Sequence, residues 1–379
     1  MTMQYRPLGN TGKNVSIIGL GLEHVDRKPY AQVKSTMDAA LEHGINLMDV
    51  FMPGDEVRQH IAKAFGPRRR SVMLQGHIGA TDINQQYDIS RDLPTVQKYF
   101  ETLLRLFGYI DFGMLFFIDT QEDFDNVFHT DFITYAERLK KNGDILHMGF
   151  SSHNPVTAKK VIETGTVEMM MFSINPAFDM LPADKNVFDH MPNRFSKEIL
   201  RGLDPDRAAL YTLCEQKGIG ITTMKSYGSG KLLSAEHTPY ARPLTVHQCT
   251  HYALSRPAVA SVLPGCQTAE EMQQIVAYCT ATDEEKDYAQ VIATARNDFR
   301  GNCVYCSHCQ PCPVGIDIAA VHKYLDIARL DVANIPPSIR SHYQGLNSAE
   351  CINCGHCEKR CPFGVSVSKN IQEAAKLLA

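Results

Sequence analysis

What this chain lacks narrows what it does. It has no surplus of positive charge: 38 Lys and Arg stand against 42 Asp and Glu, for a formal net charge of -4. That balance gives no basic field for a nucleic-acid backbone, and no Lys/Arg block offers itself to anionic lipid, so neither nucleic acid nor membrane is an expected partner. No apolar run approaches the roughly 18 residues that a membrane span requires. The opening "MTMQYRPLGNTG" has no apolar stretch of the signal-peptide kind, which makes the cytoplasm the expected location. Low-complexity tracts and short-period repeats are absent as well. What is there, 379 residues at 44% hydrophobic and 21% charged, suits one large globular domain and a small one.

Cysteine is present in quantity. A reducing cytosol does not keep structural disulfides, so 12 cysteines need another use. Cys214, Cys249, Cys266 and Cys279 sit among apolar neighbours and read as small core residues. The others form two runs: Cys303, Cys306, Cys309, Cys312 before Pro313, and Cys351, Cys354, Cys357, Cys361 before Pro362. The second run is C-x2-C-x2-C-x3-C-P, and the first differs by one residue fewer before its last Cys. Three closely spaced thiolates can wrap one corner of a cubane, while the fourth, held by a proline, points toward a neighbouring cluster. The spacing therefore predicts two [4Fe-4S] clusters with crossed ligation. Cys303, Cys306, Cys309 and Cys361 serve one, and Cys351, Cys354, Cys357 and Cys312 the other. Zinc is the alternative, although its sites use two separated pairs. "GIDIAAVHKYLDIARL" between the runs has helical periodicity, so the segment resembles the α-helical ferredoxins. Such clusters transfer single electrons and degrade in oxygen when exposed, which points to a redox role and an anaerobic or microaerobic host.

The preceding part of the chain alternates apolar runs with helical segments. Strand candidates are "SIIGLGL", "INLMDV", "SVMLQGHI", "FGMLFFID", "ILHMGFSS", "EMMMFSIN", "GITTMKS" and "ASVLPG", each followed by a helix candidate. Helices such as "YAQVKSTMDAALEHG", "DLPTVQKYFETLLRLFG", "DFITYAERLKKNG" and "PDRAALYTLCEQKG" stop at glycine. Strands apolar almost throughout suit a parallel sheet covered by helices. The pattern predicts an α/β chain: a (β/α)8 TIM barrel over residues 1–283, then a small α-helical ferredoxin-like domain over 284–379. An open doubly wound sheet is the structural alternative. "MQYRPLGNTGKNVS" predicts a hairpin across the barrel floor. The long link from Asn175 to Asp204 is a candidate lid.

Several phrases carry a resemblance. "YRPLGNTGKNVSIIGLGLEH", "GINLMDVFMPGDEVRQHIAKAF", "LLRLFGYIDFGMLFF", "GFSSHN", "MKSYGSGKLL" and "VLPGCQTAEEM" fall in the order and spacing of the aldo-keto reductase signatures. The chain resembles that family over about residues 3 to 280, and its cysteine tail resembles the branch with a C-terminal 4Fe-4S domain. The resemblance implies carbonyl reduction with NAD(P)H by an Asp, Tyr, Lys and His set. Only the Asp is matched, as Asp49. The Tyr slot falls at Pro53, Met52 or Phe51, the Lys slot at Gly76 or His77, and the His slot at Phe116 or Phe117. Nucleotide contacts implied by the resemblance are Ser151, Ser152, Lys225, Gly228, Gly230, Lys231, Gly265 and Gln267, while the sixth-strand Gln position reads Met171. Gln267 stands near where an Arg would recognise a 2′-phosphate, which weakens a preference for NADPH. A flavin is the other candidate cofactor.

Chemistry on this fold belongs at the C-terminal strand ends. Glu23, His24, Asp49, His77, Ser152 and His153 fall there. A His near pKa 6.5 donates a proton at neutral pH without an activating lysine. The expected acid is His77 oriented by Asp49, with His24 as the substrate-positioning alternative. Two other readings stand beside it: rim histidines bonded to carbonyls, or Glu23, His24, His77 and His153 as ligands of a catalytic metal. Function then divides into two classes. One is an oxidoreductase acting on a small-molecule substrate, with electrons exchanged with a ferredoxin or another electron-transfer protein. The other is a non-catalytic electron carrier or redox sensor.

Overall fold

The computed structural model describes residues 2–83, 86–183, 203–294 and 301–378. They fall into two compact units, one of Met1–Ile174, Gly218–Ser226 and Ala258–Ala281, the other of Asn175–Lys217, Tyr227–Pro257 and Thr282–Ala379. This division differs from the expected one at 283/284. The helices Pro205–Lys217 and Val246–Leu254, which follow the sixth and seventh barrel strands in the chain, group with the cysteine-bearing segment.

The first unit contains the barrel. Its strands are β3 (Leu20–Gly21), β4 (Leu47–Val50), β5 (Met73–Ile78), β8 (Ile110–Leu115), β9 (Ile145–Ser152), β10 (Met169–Ser173), β11 (Gly220–Met224) and β12 (Val259–Val262), parallel and adjacent in chain order. The parallel bridges Ile18 to Val262 and Gly21 to Gly265 join the two ends, so the sheet is a closed barrel. Every residue of β8 and β10 is buried, as strands covered on both faces require. Phe112, Met114, Met169, Met171 and Leu263 fill the core with Leu8 and Val15 from the expected hairpin. That hairpin pairs β1 (Tyr5–Pro7) with β2 (Asn14–Ser16). Its turn lies so close to β11 that a side chain at Gly9 would meet the Gly218 carbonyl at 2.3 Å.

Local signals set the helix ends. Asp92 accepts from the Thr95 N–H to start Leu93–Phe107, a cap worth about 1 kcal/mol. Gly108 and Gly143 end Leu93–Phe107 and Asp131–Asn142 at a φ of 81°, which only glycine adopts cheaply. A second hairpin, β6 (Ala80–Ile83) with β7 (Gln86–Ile89), follows β5 and was not expected from the sequence.

In the second unit the helix Ile318–Leu330 packs against Val367–Leu378, and Arg329 bridges to Glu373 at 2.8 Å. Of the expected lid, residues 184–202 lie outside the described residues. Its start is a short turn at Phe178–Met180 that buries Asp179, which accepts from the Tyr211 and Tyr252 hydroxyls at 2.6 and 2.8 Å. Among the described residues no helix is long and apolar enough to cross a membrane.

Candidate sites at the barrel mouth and in the cysteine segment

Alternation along β5 shows which of its side chains face the barrel interior. A Cβ on Gly76 would lie 2.6 Å from the Leu103 side chain, so that position faces the helices and its neighbours Gln75 and His77 face inward. His77 Nε2 lies 2.8 Å from Asp49 Oδ1, and Gln75 Nε2 donates to the same oxygen at 3.1 Å. A carboxylate only accepts, so His77 Nε2 carries the proton. The opposite nitrogen, Nδ1, is buried with no partner among the described residues, as is Gln75 Oε1. An orphaned polar atom costs about 1–3 kcal/mol, and two at a barrel mouth mark where a ligand or water is met.

Phenylalanines enclose this pair. The Phe51 and Phe116 rings stand edge-on to His77 at 5.6 and 5.3 Å, and Phe117 continues the arc to His153 at 5.3 Å. The carbonyls of Phe116 and Phe117 both accept from Arg91 Nη2 at 2.8 Å, which holds Phe117 at a φ of 56°. Arg58 does the same for the loop after β4, donating to the Met52 carbonyl at 3.1 Å. Tyr87, on the unexpected hairpin, meets Phe51 edge-on at 4.8 Å. Burial and Glu23 push its phenol up, opposite to what a proton-donating tyrosine needs.

A second set of groups meets at the ends of β8, β9 and β11. Asp119 Oδ2 lies 2.9 Å from His153 Nδ1, and His153 Nε2 lies 2.7 Å from Lys225 Nζ. Asp119 Oδ1 accepts from the Ser152 hydroxyl and the His153 N–H at 2.9 and 2.6 Å. Burial alone pushes the Asp119 carboxyl up, yet the adjoining His153 and these hydrogen bonds hold it below its ordinary value. Burial lowers Lys225 to about 8, against the opposing charges of Glu23 and Asp119.

The remaining expected residues are scattered more widely. His24 is exposed on the turn Leu22–Val25 and lies over Gly265, where a Cβ would meet its Nδ1 at 2.6 Å. It does not join the Asp49 and His77 pair. Nor do Glu23, His24, His77 and His153 converge: among the described residues no three metal-ligating side chains gather as a single-ion site. Ser151 Oγ accepts from the Phe117 N–H at 2.9 Å, so both rim serines bond within the barrel. The Gln267 carbonyl accepts from Gln32 and Thr36, each at 3.0 Å, and its N–H donates to Glu271 at 2.7 Å. Gly228, Gly230 and Lys231 belong to the second unit. There the turn closes on itself, with the Lys231 N–H donating to the Gly228 carbonyl at 3.1 Å.

The eight cysteines of the tail line two cavities. Cys303, Cys306, Cys309 and Cys361 line one, together with His322. Cys312, Cys351, Cys354 and Cys357 line the other, and Cys309 lines both. The backbone repeats itself between the runs. Tyr305 and Ser307 flank Cys306 at φ of 57° and 59°, and Asn353 and Gly355 flank Cys354 at 52° and 70°. Alternating left-handed residues turn successive N–H groups into one concavity, the nest that suits an anionic group. Burial pushes the Cys306 and Cys309 thiols up to about 12, while the His308 N–H, bonded to Cys306, opposes it. Such thiols are not free nucleophiles. His322 Nδ1 is 2.8 Å from the Ile318 carbonyl, and its buried Nε2 has no partner among the described residues. Arg256 is a residue that sequence reasoning missed. Its buried guanidinium donates to the Val304 carbonyl inside the first cysteine run, and Tyr252 and Tyr305 lie at 4.3 and 4.9 Å from it.

A closed barrel with ionisable pairs at the C-terminal strand ends defines an enzyme of the TIM-barrel type. The sequence profile of the Aldo/keto reductase family matches residues 17–248, and the chain belongs to that family of oxidoreductases. It is 25% identical over 306 residues to the uncharacterized oxidoreductase YqkF of Bacillus subtilis (strain 168), which spans 75% of this chain and 94% of that protein. The holo form of the aldo-keto reductase AKR11C1 from Bacillus halodurans superposes with a TM-score of 0.56 at 20% identity, over 75% of this chain and 94% of that one. Its apo form gives 0.50 at 21% over the same shares, 75% and 94%. These two structures share the fold. The family match ends before the first cysteine of the tail.

Proposed function

We propose that this oxidoreductase is an iron–sulfur enzyme. Its residues 284–379 hold two [4Fe-4S] clusters, and its barrel mouth binds a small-molecule substrate with NAD(P)H. The observation that carries the reading is how the thiols are shared out: each cavity is lined by the four cysteines that crossed ligation assigns to it, with Cys309 lining both. The donor set fits a cubane better than zinc. Zinc sites use two separated pairs, whereas each cavity here takes three closely spaced cysteines of one run and the last cysteine of the other. Nest-shaped loops and the orphaned His322 nitrogen suit a bulky anionic group. Bound there, such clusters supply one-electron transfer.

At the mouth, Asp49 orients His77 through Nε2, which leaves Nδ1 as the atom that passes a proton to the carbonyl oxygen as it is reduced. Phe51, Phe116 and Phe117 exclude water and favour a substrate with an apolar flank. Glu271, bonded to the Gln267 N–H, puts a carboxylate where a 2′-phosphate would be recognised and favours NADH over NADPH. The cytoplasm is the location consistent with free thiols in such number.

The test is anaerobic purification and reconstitution with iron and sulfide. About eight irons per chain and a paramagnetic signal on reduction are expected for two clusters. A chain that takes up zinc in preference and shows no such signal contradicts the reading.

A further inference from the structure

We propose that Lys225, with His153 and Asp119, forms a second catalytic set at the barrel mouth, whose amine condenses reversibly with the carbonyl group of a small aldehyde or 2-oxo acid. The proposal does not depend on the iron–sulfur reading, because it uses only groups of the barrel.

The geometry is that of an activated nucleophile: nucleophile and base within hydrogen-bond reach, and the base oriented by a third group. Here the nucleophile-to-base distance is 2.7 Å and the base-to-carboxylate distance 2.9 Å. Since Asp119 only accepts, His153 Nδ1 donates to it, and Nε2, already in contact with Lys225 Nζ, accepts from the ammonium. Asp119 is itself fixed by the Ser152 hydroxyl and the His153 N–H, so the carboxylate cannot swing away. Each member comes from the C-terminal end of a different strand, which is where this fold keeps its reacting groups. Lys225 is also held at a φ of 57°, a left-handed conformation that costs a non-glycine residue about 1–2 kcal/mol. Burial lowers the amine to about 8, so a useful fraction is unprotonated near neutrality. The charged groups acting on it are Glu23 and Asp119, with His153 in contact.

The step balances without any oxidant or reductant. Lys225 passes a proton to His153, and its lone pair forms a bond to the carbonyl carbon. The carbonyl π electrons move to oxygen, which takes up a proton and gives a carbinolamine. Loss of the hydroxyl with a second proton, as water, leaves a C=N bond between substrate and Nζ. Water reverses the sequence.

Reductive trapping tests this. The full chain, purified anaerobically, is incubated with acetaldehyde or with pyruvate, quenched with borohydride, and mapped by peptide mass. One adduct on Lys225 is expected, formed at least tenfold faster than on any other lysine and with a rate that rises through pH 8. Lys225→Arg, which keeps the charge, should abolish it, and His153→Gln and Asp119→Asn should slow it at least tenfold while circular dichroism confirms folding. Labelling spread evenly over the lysines, or equal at Lys225 in the His153→Gln chain, overturns the proposal whether or not clusters assemble.

Discussion

The barrel mouth and the cysteine segment gather their functional groups in opposite ways. At the mouth Asp49, His77, Asp119, His153 and Lys225 arrive from the ends of five different strands, and only the closed sheet brings them together. In the cysteine segment eight thiols come from two short runs, and each run carries the same left-handed residues around its second cysteine. Local backbone geometry makes the second site and tertiary structure makes the first. Spacing therefore says much about a cluster and little about a barrel active site.

The sharpest way to break the comparison is to exchange single cysteines. Cys361→Ser should empty the site shared with Cys303, Cys306 and Cys309, and Cys312→Ser the other, each removing about half the bound iron. Iron analysis and cluster spectra check this; loss following the sequence runs instead of the crossed sets would contradict local nests completed across the runs. Next in size is the mouth. His77→Ala, leaving Asp49 without its imidazole, should lower kcat by about 10²- to 10⁴-fold with little change in nucleotide binding. Unchanged turnover would show that the mouth's polar pair is structural.

Arg256→Gln comes third, because it removes a buried cation from the backbone of the first cysteine run. A cost of about 3–5 kcal/mol in denaturant unfolding is expected. The smallest effect is a pH dependence. Lys225 is depressed from 10.5 to about 8 when folded, so the unfolded chain binds the extra proton between those values. Its unfavourable contribution is full below pH 8 and relieved as pH rises toward 10.5, so wild type should gain stability relative to Lys225→Met across that window. The slope should be at most about 1.4 kcal/mol per pH unit. Parallel stability curves would place the amine in an ordinary solvated setting.

Much of the fold was legible because its signals are local: apolar runs for strands, capped and glycine-ended segments for helices, a turn sequence for the floor hairpin. The hairpin β6 and β7 was not, since "ATDI" and "QYDI" are short and polar, without the continuous apolar run used to recognise barrel strands. The pairing of His77 with Asp49 followed from placing both at C-terminal strand ends, where this fold keeps its chemistry. Asp119 escaped notice although it ends the run "FGMLFFID", a carboxylate at a strand end in a fold that reacts there. Its union with His153 and Lys225, 34 and then 72 residues apart, exists only in the closed barrel. Arg256 was invisible for the same reason, since nothing near "LSRPAV" announces a carbonyl 48 residues away.

The most direct test of the central claim, that a nucleotide-using barrel and a cluster-bearing tail work as one redox enzyme, is an anaerobic titration of the reconstituted chain with NADH and then NADPH. The absorbance near about 400 nm, where thiolate-to-iron charge transfer is expected, is followed throughout. The account predicts bleaching by NADH in preference to NADPH. A chain whose clusters bleach with dithionite but respond to neither nucleotide would contradict it.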